Sequence, residues 1–182
     1  MTCKKYWLLG SVLCFCLNAN SASGQIVPDK TTNTSVINTC QSTCDITGGT
    51  VAGQNLFHSF SEFNVNTEES VYFADPGVAN IFNRVTGSNS SNIDGTLGVL
   101  GNANLWLLNP NGIIFGAGAA LDINGSFVAT TADEIQFKDG NFFSAIPNTK
   151  ENLALLTVNP NALFFNQMGQ KGSIAIPNHF GE

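Results

Sequence analysis

Leu105-Trp106-Leu107-Leu108-Asn109-Pro110-Asn111-Gly112-Ile113-Ile114-Phe115-Gly116 reads as strand, sharp turn, strand. Asn and Pro stop a strand, and Asn tolerates left-handed backbone angles. About fifty residues on, Leu155-Leu156-Thr157-Val158 is followed by Asn159-Pro160-Asn161 and then Ala162-Leu163-Phe164-Phe165. Two strand–turn–strand units at a wide interval predict an elongated repeat protein rather than an enzyme built around a pocket.

The surrounding sequence fits the same reading. Apolar residues at helical spacing are few, and Gly and Asn interrupt most windows. Short β-rich runs take their place at 26–27, 56–63, 70–73, 81–82, 97–100, 105–108, 113–115, 121–123, 127–128, 135–137, 153–158 and 163–165. Residues 131–134 suit one helical turn or a corner. Between 81 and 131, Thr86-Gly87, Asp94-Gly95, Gly101-Asn102 and Asn124-Gly125 add further turns. Strands this short, with uninterrupted apolar runs, fit a parallel β-helix better than a hairpin sandwich. The fourteen Phe supply interior stacks, and the small residues at 116–120 suit a tight corner. The Thr- and Asn-rich segment 25–50 reads as an amino-terminal cap. The other end shows no comparable pattern, so the expected domain, 25–182, is taken as incomplete there.

Lys4 and Lys5, a mostly apolar stretch over 6–17, and Ala22-Ser23-Gly24 have the order of a secretory signal over 1–24. The apolar stretch is too short for a membrane anchor. Leu13 and Phe15 precede Cys14 and Cys16 where a lipidation site needs a small residue. Cleavage removes three of the five cysteines and leaves Cys40 and Cys44. In an oxidising compartment these two are expected to form a small disulfide loop rather than a metal site. After cleavage five basic residues face thirteen acidic ones, a net charge of −8. Nucleic acid and anionic lipid are thereby excluded as partners.

No catalytic set emerges. Glu68-Glu69 and Asp133-Glu134 are adjacent pairs, and neighbours in a strand point to opposite faces. A glycosidase pair or a calcium-dependent lyase site is therefore not expected. His58 sits in a strand-like run, far from His179, and reads as a packed or solvated histidine. The expectation is a monomer that is not an enzyme and needs no cofactor or metal. A stand-alone carbohydrate-binding adhesin would need Trp106, Tyr72 or Phe on display, and the run around Trp106 favours burial.

The stretch Asn55-Leu56-Phe57-His58-Ser59-Phe60-Ser61-Glu62-Phe63-Asn64-Val65 resembles the opening signature of the filamentous-haemagglutinin amino-terminal domain. That domain is also called the haemagglutination activity or two-partner secretion domain. Asn83-Arg84-Val85-Thr86-Gly87, Ser91-Asn92-Ile93-Asp94-Gly95, Gly101-Asn102-Ala103-Asn104-Leu105, Asn109-Pro110-Asn111-Gly112-Ile113 and 125–132 continue the match in order, with wording closest to the cyanobacterial branch. The resemblance implies an all-β, right-handed parallel β-helix with an amino-terminal β cap. It further implies an export-targeting domain of a secreted or cell-surface exoprotein. Such a domain is recognised in the periplasm by the POTRA domains of an outer-membrane transporter, and it nucleates β-helix folding outside the cell. Adhesion to host or surface glycans would belong to a missing passenger. The family's earlier Asn-Pro-Asn-Leu motif is absent. Asn109, Pro110, Asn111, Gly112, Ile113 and Arg84 are the candidates for transporter recognition. Turn chemistry alone also accounts for Asn109, Asn111 and Gly112, and hydrogen bonding to turn carbonyls for Arg84.

Overall fold

Each short apolar run becomes one side of a coil, because a strand of three to six residues can bury a face only by stacking on the next copy. The computed structural model describes residues 26–37, 42–146, 152–165 and 172–176. The expected signal segment 1–24 and Cys40 lie outside them. The strands are β1 (Ile26–Pro28), β2 (Thr34–Ile37), β3 (Thr43–Gly48), β4 (Thr50–Ala52), β5 (Asn55–Phe63), β6 (Ser70–Ala74), β7 (Asn80–Val85), β8 (Ser91–Ile93) and β9 (Thr96–Leu100). There follow β10 (Asn104–Leu108), β11 (Ile113–Phe115), β12 (Ala120–Asp122), β13 (Phe127–Thr130), β14 (Glu134–Phe137), β15 (Phe142–Ser144), β16 (Pro160–Phe164) and β17 (Ile174–Ala175).

Three parallel ladders wind into a β-helix. The first face stacks β5, β7, β10 and β13. The second stacks β3, β6, β9 and β12. The third stacks β8, β11 and β17, and Val65 bridges to Ile93 below them. Asn80 lies 25 residues beyond its partner Asn55, and Asn104 lies 24 beyond Asn80. Inside, Leu56, Ile81 and Leu105 stack in register, as do Val71 and Leu97, in one apolar core with Phe60, Phe63 and Phe73.

The cap segment closes the first rung. β1 and β4 run antiparallel to β5, and β2 runs antiparallel to β3. Ile26 and Val36 pack against the coil interior. Cys44 is buried in that core and is disulfide-bonded, while its expected partner Cys40 lies outside the described residues.

The interior-stack reading of the phenylalanines is corrected for half of the buried ones. Phe57, Phe82, Phe137 and Phe143 lie outside the coil, in a second core. The chain leaves the helix after β13 and forms an antiparallel sheet, β15-β14-β16, over the outer side of the first face. Phe57 and Phe82 stack at 5.3 Å, and Phe143 and Phe137 meet them at 5.0 and 5.2 Å. Each such ring contributes about 1.5–3 kcal/mol on burial. The corner reading of 131–134 holds, as these residues lead into β14.

The second strand–turn–strand unit is also corrected. Leu153–Leu155 is a 3-10 turn capped by Asn152, and Pro160 and Asn161 lie inside β16. Pro is tolerated there because it is the first residue of an edge strand, where no ladder donor is needed. The side-chain amide of Asn55 takes the carbonyls of Leu156 and Val158, both at 2.8 Å, so this segment docks on the coil instead of pairing as a strand.

Candidate functional site

The corner between β10 and β11 is held on both sides. Gly112 N–H donates to the Asn109 carbonyl at 3.1 Å, closing a four-residue turn with Pro110 second and Gly112 last. These are the preferences of a type I turn. The Asn109 Oδ1 also accepts from the Asn111 N–H at 3.0 Å. Gly112 has φ +121, which a side chain rarely adopts. One rung below, Asn109 Nδ2 donates to the Asn89 carbonyl and to Ser91 Oγ, and Asn111 Nδ2 donates to the Gly87 carbonyl at 2.8 Å. One rung above, Gly172 N–H donates to the Pro110 carbonyl and Ile113 N–H to the Ser173 carbonyl.

This geometry divides the sequence candidates. Asn109 and Ile113 are fully buried and Gly112 is buried. Pro110 is half-buried and Asn111 is exposed, so these two form the face that a partner can touch. Arg84 is placed elsewhere. It is the register partner of Leu108, on the outer side of the first face, and is 1% exposed. Its Nε donates to Ser59 Oγ at 2.7 Å, Nη1 to the Ser144 carbonyl at 2.7 Å and Nη2 to Thr31 Oγ1 at 3.1 Å. The guanidinium also lies 4.7 Å from the Phe143 ring centroid. One side chain thus joins the cap, the coil and the outer sheet.

Asp29 completes this cluster, taking Ser59 Oγ at 2.6 Å and Thr86 Oγ1 at 2.8 Å. Burial works to raise its pKa, but the hydrogen bonds from Ser59, Thr31 and Thr86 outweigh it and hold the carboxyl below its ordinary value. Ser59 follows His58 in sequence, yet the pleat sends the two side chains to opposite faces. His58 points into the coil, with Nδ1 2.9 Å from Thr34 Oγ1, and burial lowers its pKa to about 4. Ser59 therefore has no imidazole beside it, and its hydroxyl is engaged by Asp29 and Arg84. Among the described residues no group of His, Cys, Asp or Glu is arranged to hold a metal ion. Trp106 packs on Phe82 at 5.3 Å, is half-buried and lines a groove with β16.

Sequence reading missed a polar spine. Asn80 Nδ2 donates to Asn55 Oδ1 at 3.0 Å, Asn104 Nδ2 donates to Asn80 Oδ1 at 3.1 Å, and Asn104 Oδ1 accepts from the Ser126 N–H at 2.8 Å. The signal was present as Asn followed by two apolar residues: Asn55-Leu56-Phe57, Asn80-Ile81-Phe82 and Asn104-Leu105-Trp106. Two further straps cross the coil corners and faces. Asp75 accepts from the N–H groups of Gly77, Val78, Asn102 and Ala103. Tyr72 lies over Gly98, where a Cβ would meet its ring, and donates to Asp122 at 3.0 Å.

Comparison with known proteins gives a consistent result. The family model for the TPS secretion domain matches residues 24–178. A heme/hemopexin-binding protein of Haemophilus influenzae strain Rd is 36% identical over 80 residues, which are 43% of this chain and 9% of that protein. Another heme/hemopexin-binding protein of Haemophilus influenzae is 34% identical over 98 residues, 53% of this chain and 10% of its own length. The matched region is about a tenth of each of these curated relatives.

Proposed function

The chain belongs to the TPS secretion domain family, and on that premise we propose that it is the export-targeting domain of a two-partner-secretion exoprotein. A cleaved signal over 1–24 delivers domain 25–182 to the periplasm. There the POTRA domains of a partner outer-membrane transporter bind it, and the protein passes to the outside of the cell. The observation that carries this reading is the corner 109–112, clamped between two rungs with Pro110 and Asn111 outward. A turn fixed on both sides presents a surface at little entropic cost, which favours recognition. Arg84 lies apart from this corner, and its buried side chain takes no part in the surface given to the transporter here.

The far end of the coil supports the second half of the reading, nucleation of folding outside the cell. Among the described residues β12 and β13 each pair on one side only, and each offers a row of backbone groups to incoming chain.

The test is export of residues 1–182 beside the neighbouring transporter, comparing medium with periplasm. Wild type is expected in the medium. Asn111→Ala, which loses an exposed bond to Gly87, is expected to stay in the periplasm with urea stability within about 1 kcal/mol of wild type, whereas Asn109→Ala loses both export and stability. Full export of both variants would sink the role given to this corner.

A further inference from the structure

His58 is buried where the cap meets the first coil. We propose that it is an acid-sensitive latch: the neutral imidazole holds β2 over the open end of the coil, and its protonation frees β2 while later rungs stay folded. Among the described residues β2 is laddered on one side only, to β3, at the end of its sheet. Thr34 ties it across to the first face through His58 Nδ1 at 2.9 Å, and Thr32 Oγ1 lies 2.7 Å from Thr34 Oγ1. The ring sits against Phe60 and Phe73, with centroids at 6.2 and 5.4 Å. Its Nε2 is buried and has no hydrogen-bond partner among the described residues.

A proton added to this ring meets no compensating charge. Thr34, Val36 and the rest of β2 carry no ionisable group, and neither does β4. Asp45 on β3, Tyr72 on β6 and Arg84 on β7 alternate to the face away from the coil interior, where Cys44, Ile46, Val71, Phe73 and Val85 lie. Asp29 is engaged with Ser59 and Thr86 on the outer side of β5. An imidazolium here is buried and unpaired, a state resolved by exposing it.

The sign follows from linkage. Burial lowers the pKa from 6.5 to about 4, so the opened cap binds the proton more tightly than the closed one. Cap closure is complete above the ordinary histidine pKa and weakens as pH falls toward 4. Those two values give a roughly 30-fold loss of cap protection between pH 7.5 and pH 5. Asp29 titrates below this window.

Hydrogen exchange on the full chain, corrected for intrinsic rates, reads the latch directly. The segment 34–37 is expected to lose protection roughly 30-fold over that range, with 96–108 unchanged and His58→Gln flat. Equal loss in 34–37 and 96–108, no loss in 34–37, or the same slope in His58→Gln would each overturn the proposal. If His58→Gln does not fold, the imidazole titration of the wild type decides, assigned against His179→Gln. A midpoint below pH 5 upholds the latch, and one near 6.5 overturns it.

Discussion

At the amino-terminal end, β1, β2 and β4 lie across the first rung, and Arg84, Asp29, Ser59 and His58 fasten the cap to it with buried and part-buried hydrogen bonds. At the other end, all three residues of β12 are exposed, and Phe115, Leu121, Phe127, Ile174 and Ile176 line an apolar groove of about 480 Å3. The contrast separates two tasks. Closing a solenoid requires partners for a row of backbone groups and for the ends of the polar stacks. Extending one requires leaving those groups and the apolar interior available.

The contrast can be broken by substitution. Arg84→Ala should have the largest effect, about 2–3 kcal/mol in urea unfolding, because it removes the charged donor to the buried Ser144 carbonyl and Ser59 hydroxyl. Arg84→Lys should not restore it, since an ammonium cannot reach three partners in a plane. A midpoint shift below half of that range would show that the cap is held by other means. Next, Asn80→Ala should cost about 2 kcal/mol, because Asn80 is buried with both amide ends engaged. Asn104→Ala, half-buried and nearer the open end, should cost less. Equal losses would remove the gradient between the ends.

A third, smaller effect is pH-dependent. The carboxyl of Asp29 is held below its ordinary value, so its contribution is present above the unfolded value of 3.8 and is lost as pH falls through the native one. Stability curves from pH 5 down to 2.5 should therefore flatten in Asp29→Asn. An unchanged acid limb would assign acid sensitivity elsewhere. Smallest of all, Leu121→Ser at the open end should change stability by no more than about 0.5 kcal/mol, while lowering binding of an apolar dye. Leu121 is 50% exposed, so little packing is lost. A large destabilisation there would mean that the end is already closed.

Much of the coil was legible because its rules are local. Asn109-Pro110-Asn111-Gly112 announces a turn by its own backbone chemistry, and the apolar runs at 97–100, 105–108 and 113–115 are strands where expected. The cap was legible in the Thr- and Asn-rich texture of 25–50, and the family resemblance, which also implies a cap, added the targeting role. The outer sheet was not legible. Ile135 and Phe137 look like any coil strand, and nothing within β14 says that it pairs antiparallel with β15 and β16. Likewise Leu153 to Val158 has the apolar content of a strand, but its carbonyls are claimed by Asn55, about a hundred residues earlier. Arg84 gave no hint of its partners, because Thr31, Ser59 and Ser144 converge on it only through the stacking of three separate elements.

Tyr72 reaches Asp122 across Gly98, skipping one rung of the second face. Under tension along its axis, a solenoid without such a strap sheds rungs singly, each release a small event. With the strap, β12 cannot peel from β9 without also straining the attachment of β6, so two small events merge into one taller force peak. A single-molecule trace would resolve that peak, and Gly98→Ala, which lifts the ring, would split it in two.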